Sequence, residues 1–217
     1  MAKPTTNFVD EVIKRRRTEK VLAIGNSPPQ LKEAEIKQFD ELVFQAVDVA
    51  GWAPFHYDRK KDGLAEPWRF TIFKAHRCRE IAKHFFDWFT DIKPNNKLPK
   101  MLNACGALVL ITWLPETEID NPKIGQVNEE HLAAAAAATQ NLLLALESRE
   151  LGTYWSSGGQ LGSPEFFQRF DMNPAGRLIA AIFVRYPGLL DHNDINVISG
   201  KNREKRSQWQ NWTQVID

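Results

Sequence analysis

The stretch Pro67-Trp68-Arg69-Phe70-Thr71-Ile72-Phe73, PWRFTIF, decides how this chain is read. Its aromatic and β-branched residues predict a strand, and the loop before it is polar and basic. Further upstream, Phe39, Leu42, Val43, Ala46 and Val49 recur at three and four residues, which predicts a helix over 32–50 that stops before Gly51 and Pro54. The segment Ala53-Pro54-Phe55-His56 therefore begins the connection between helix and strand.

The same reading extends in both directions. A first helix is expected over 7–20, with Phe8, Val12 and Ile13 on one side and Arg15, Arg16 and Arg17 near its end, until Gly25, Pro28 and Pro29 break the pattern. A third covers 77–89 and carries Ile81, Phe85, Trp88 and Phe89. The run ALVLITW, 107–113, reads as a strand covered on both faces. PETEIDNPKIGQVNEE, 115–130, reads as a polar loop long enough to be a lid. The segment 128–148 is expected to be the core helix, because its alanine run has high helix propensity and its leucines leave almost no polar side before Glu147. Apolar surface all round implies burial against the chain's own sheet and against a second copy of the chain. LIAAIFVRY supplies another buried strand, and the polar, basic tail from about 191 carries the late anchors Trp209, Trp212 and Val215.

With 217 residues, 43% of them hydrophobic, and no repeat or change of composition, one domain spanning 1–217 is expected. A net charge of +1 gives no whole-chain attraction to nucleic acid or to an anionic membrane, so an anion site must be a local cluster. Cys78 and Cys105 make no disulfide framework and belong to no CxxC pair. Together with a first segment, MAKPTTNFVDEVIKRRR, that has no apolar signal core, they set a cytoplasmic expectation. No nucleophile-base set and no metal-ligand spacing stands out.

Two basic clusters do stand out: Arg15-Arg16-Arg17-Thr18-Glu19-Lys20 and Lys201-Asn202-Arg203-Glu204-Lys205-Arg206. A phosphate monoester is held well by a few cationic forks and a hydroxyl donor, and Arg suits this because its planar donors meet phosphate oxygens in pairs. The alternative, a nucleic-acid patch, lacks an aromatic platform or a known motif. A third feature is Gly152-Thr153-Tyr154-Trp155-Ser156-Ser157-Gly158-Gly159, in which Gly152 is a natural helix stop and the turn after Trp155 lets backbone N–H groups approach a ligand.

In this order along the chain, the first basic cluster, the Pro-Trp-Arg-Phe strand, the Gly-x-x-Trp segment after a Gln-Asn-containing helix and the second basic cluster resemble the nitroreductase family of FMN enzymes. The resemblance implies an α+β fold, with a central, mostly antiparallel sheet flanked by helices, in an intertwined homodimer whose tail, about 191–217, wraps the partner subunit. It implies FMN phosphate held by Arg16, Thr18, Lys201 and Arg203, with Arg17 and Lys20 near the ribityl chain or the pyrimidine edge. Pro54, Phe55 and His56 would lie against the isoalloxazine of the partner's site, and the backbone of Trp155, Ser156, Ser157 and Gly158 beside N5 and O4. Family members carry Asn-x-Gln before Pro-Trp; here the Asn is missing and Glu66 replaces Gln, leaving Arg59, Lys60 or Lys61 as substitutes at the flavin edge. Trp68 and Phe70 read as core anchors.

The activity implied is two-step: NAD(P)H reduces the flavin at N5, and a nitroaromatic, quinone or similar small oxidant takes the electrons. The alternatives are a dehalogenase or enone-reductase variant of the fold, or a flavin-sequestering protein without efficient turnover.

Overall fold

Strand β3, Ala107–Trp113, is buried at every residue and organises the molecule. The computed structural model describes residues 7–24, 32–59, 63–90, 92–117, 122–187, 195–201 and 205–216. Along β3, Leu108 and Leu110 face one layer while Ala107, Val109 and Ile111 face the other, the period-two alternation of a strand with helices on both sides. β3 pairs antiparallel with β2, Trp68–Lys74, and with β5, Arg177–Val184; β4, Thr153–Ser156, pairs with β5 and completes a four-stranded sheet of order β2-β3-β5-β4. The register of β3 against β5 shifts between Ile111 and Thr112.

One face of the sheet is covered by α2, Glu33–Ala50, and α5, Ile124–Ser148, through Phe39, Val43, Ala46, Leu142 and Leu146. The other is covered by α3, Ala75–Trp88, α4, Leu98–Ala104, and α6, Pro164–Arg169, through Ile81, Phe85, Leu102 and Phe166. Helix α1, Phe8–Arg15, lies against α5. Trp68 is buried, with Phe55 packed edge-on to it at 5.6 Å, as expected of a core anchor. No described helix is long and apolar enough to cross a membrane.

Three expectations change. The first helix ends at Arg15 instead of continuing to 20, because Glu19–Ala23 form β1, which pairs antiparallel with β6, Ile195–Ser199, as a separate two-stranded ribbon. The loop expected over 115–130 gives way to α5 at Ile124. Within the chain itself α5 is not buried on all sides: Leu132 is 41% exposed, and Ala133 and Gln140 are also exposed.

The stop after α5 is not Gly152 either. Glu150 takes the left-handed conformation, with φ 61°, and Leu151 N–H donates to Leu146 C=O at 3.0 Å. Gly152 has another reason to be glycine: a Cβ there would lie 1.9 Å from Glu19 Oε2 and 2.8 Å from Arg185 Nε, two side chains bonded to each other at 2.6 Å.

Candidate functional site

The break after α1 places three consecutive arginines differently. Arg15 reaches α5, donating to the Glu147 carboxylate at 2.9 Å and to its carbonyl at 3.1 Å. Arg17 Nη1 turns back onto the carbonyls of Lys14, Arg15 and Arg16, satisfying oxygens that the last helical turn leaves without amide partners. Arg16, Arg17 and Thr18 line a cavity of about 660 Å³ together with Ile13, Lys14, Tyr154, Gly200 and Arg206.

Thr18 is fixed by backbone pairing: it bridges to Thr153 at the start of β4, and its carbonyl accepts from Gly200 N–H at 2.9 Å. That bond brings the chain beyond β6 to the cavity wall. A Cβ on Gly200 would lie 2.9 Å from Thr18 Cβ, so the approach needs a bare backbone. Lys20 extends over the ring of Tyr154, with Nζ 4.9 Å from its centroid, and so stands beside the cavity without lining it. Lys14, Arg16, Arg17 and Arg206 give the cavity four cationic walls. With the Thr18 hydroxyl, this donor set fits a phosphate monoester.

Arg206 is the residue that sequence reading missed. Lys201 is described and exposed but does not line the cavity, whereas Arg206, three residues past the expected pair, does. Arg203 lies outside the described residues. The only sequence signal for Arg206 was its membership of the same basic run.

β4 carries Trp155 and Ser156 away from Tyr154 toward a tight turn. Trp155 is 40% exposed, Ser157 is exposed, and Ser156 Oγ accepts from Gly158 N–H at 3.2 Å. Gly158 has φ 86°, and a Cβ there would stand 2.4 Å from Leu178 Cδ2. This turn needs its glycine for both conformation and space.

Pro54, Phe55 and His56 line a second cavity, of about 360 Å³, opposite Glu130, Ala133, Ala134 and Ala137 of α5. It shares no lining residue with the first. Arg59, a candidate for the flavin edge, is buried instead: Nη1 donates to the carbonyls of Leu114 and Pro115, and Nε lies 3.9 Å from Glu116 Oε1. Lys60 and Lys61 lie outside the described residues. Among the described residues no cluster of His, Cys, Asp and Glu could hold a metal ion.

A family model, the Nitroreductase family, matches residues 13–184. The chain is 25% identical over 150 residues to YfhC of Bacillus subtilis (strain 168), provisionally described as an NAD(P)H nitroreductase, covering 67% of this chain and 73% of that one. In fold it is similar to a nitroreductase-like family protein of Bacillus cereus, with TM-score 0.65, 19% identity and all of both chains covered. It is also similar to a provisionally named nitroreductase of Desulfovibrio desulfuricans solved with FMN, with TM-score 0.57, 19% identity and 98% and 99% of the two chains covered. Nitroreductase CinD of Lactococcus lactis, solved with chloramphenicol, gives TM-score 0.59 at 12% identity, covering 82% of this chain and 89% of that one.

Proposed function

Because the chain belongs to the nitroreductase family, we propose that it is an FMN-dependent oxidoreductase that draws electrons from NAD(P)H and delivers them to a nitroaromatic, quinone or similar small oxidant. The observation that carries this reading is the cationic cavity at the end of α1, where Arg16, Thr18 and Arg206 meet beside a glycine that must stay bare. Bound FMN would supply the redox chemistry, taking a hydride from NAD(P)H and passing electrons to the oxidant. FMN-bound relatives of the same fold support the choice of flavin.

The protein's part is to bind and orient. Arg16, Arg206 and the Thr18 hydroxyl would hold the phosphate, and Arg203 would join them from the same basic run. Arg17 and Lys20 would stand along the ribityl side, and the backbone of Trp155 to Gly158 would steady the electron-rich edge of the reduced ring.

Pro54, Phe55 and His56 line a cavity separate from the phosphate cavity of the same protomer. A homodimer would bring one protomer's loop to its partner's phosphate cavity. Support for such a dimer comes from the apolar side chains left open on the described surface: Trp52 is 84% exposed, and Phe8, Val9, Leu132 and Trp212 are also exposed. The C-terminal tail would add to that interface.

The test is the visible spectrum of the purified protein, followed by NAD(P)H oxidation with menadione. A yellow protein that releases FMN on boiling and turns over is expected. A colourless protein that does not take up added FMN overturns the proposal, and a yellow one without turnover would be a flavin-binding protein only.

A further inference from the structure

A buried charged cluster outside the phosphate cavity has no part in the reading above. Glu116, three residues past the end of β3 at Trp113, turns its carboxylate toward Arg59 and His131, with Oε1 3.9 Å from Arg59 Nε and 3.8 Å from His131 Nε2. Arg59 and His131 are 6% and 1% exposed. His131 Nε2 is buried and makes no hydrogen bond, so the carboxylate is its polar neighbour. The Glu116 backbone is held as well: its N–H donates to Asn128 Oδ1 at 2.7 Å, and its carbonyl accepts from Asn128 Nδ2 at 3.1 Å.

Three segments meet in this cluster. Arg59 belongs to the loop that carries Pro54, Phe55 and His56, and its own N–H donates to Ala65 C=O at 2.8 Å. His131 and Asn128 belong to α5, and His131 lies between Glu130 and Ala133, which line the second cavity. Removing one member of a buried charge cluster leaves the others uncompensated, so such a cluster fixes geometry even where it adds little net stability. The Arg59 guanidinium is already committed to the carbonyls of Leu114 and Pro115. With the carboxylate added, it joins loop to strand end along both side chain and backbone.

We infer that Glu116 is a positioning residue, whose carboxylate ties the Pro54-to-Arg59 loop to α5 through Arg59 and His131 and so sets the shape of the second cavity. Glu116 lines neither the first cavity nor the second. Its influence passes through Arg59 to the loop on one side and through His131 to the Glu130 turn of α5 on the other.

Two measurements test this, and only the second rests on the proposed function. In the first, amide hydrogen exchange is followed in wild type and Glu116→Gln, an isosteric change. The expected result is exchange about tenfold faster at the Arg59 amide as well as at Glu116, with Leu142 to Leu146 unchanged. Arg59→Lys, the reciprocal variant, should speed exchange at the Glu116 amide. Faster exchange confined to the mutated segment in both variants, or no change in either, overturns the coupling. In the second, menadione reduction should show a KM about fivefold higher in Glu116→Gln with kcat and FMN affinity within twofold of wild type. An unchanged KM, or a loss of kcat alone, overturns the effect on the cavity. A wild-type protein without flavin would defeat the proposed function while leaving the exchange result to decide the coupling.

Discussion

At the scale of single residues, Arg15, Arg16 and Arg17 illustrate how neighbours of one chemistry separate. One bonds to α5, one lines the cavity, and one both lines it and caps the carbonyls of α1. Arg16→Ala and Arg206→Ala are therefore expected each to weaken FMN binding by roughly 1.5 to 3 kcal/mol, the range for charge-assisted hydrogen bonds, while Lys201→Ala does less. Equilibrium titration with FMN, against riboflavin as a ligand without phosphate, checks this. Riboflavin affinity should be the same in all four proteins, and a parallel loss would assign the cations to structure instead.

His131 gives a pH dependence. Burial lowers its pKa from the ordinary 6.5, the Glu116 carboxylate opposes the shift, and Arg59 adds to it. The unfolded chain then binds the proton first, so this contribution to stability is complete above about pH 6.5 and is lost as pH falls through the folded value. Urea midpoints measured from neutral pH down to about pH 5 should fall less steeply in His131→Gln than in wild type.

At the scale of elements, the ends of helices carry most of what a linear reading misplaced. α5 stops by a left-handed Glu150 and the Leu151-to-Leu146 bond, so the residue in the strained conformation is not the glycine nearby. Glu150→Gly should raise stability by about 0.5 to 1 kcal/mol, because glycine reaches positive φ without a Cβ clash. Ser163→Ala should lower it by about 1 kcal/mol, since Ser163 Oγ caps α6 by accepting from Phe166 N–H. Denaturant unfolding of the two variants beside wild type checks both signs. β1 and β6 were illegible for a related reason: five-residue strands from opposite ends of the chain take their identity from pairing with each other, which a local window does not contain.

At the scale of the whole molecule, exposed Trp52, Phe8 and Val9 border a groove with Leu144 and Ala145 of α5, and Trp212 and Val215 of the tail are 63% and 70% exposed. A protomer with this much open apolar surface is expected to sediment as a dimer at micromolar concentration, and Trp52→Glu is expected to shift it toward monomer. A folded wild-type monomer carrying FMN would refute this. What the sequence determined by itself was whatever local periodicity and residue type carry: α2, the strands β2, β3 and β5, the burial of β3 and β5, the anchoring Trp68, and the positions of two basic clusters. Family membership was legible for the same reason, as motifs in order along the chain. Tertiary structure alone decided that Arg206, in place of Lys201, reaches the cavity, that Arg59 is committed to β3's end, and that Gly152 makes room for an ion pair. Each of those outcomes depends on which distant atoms lie within a few ångströms, and sequence spacing does not encode that distance.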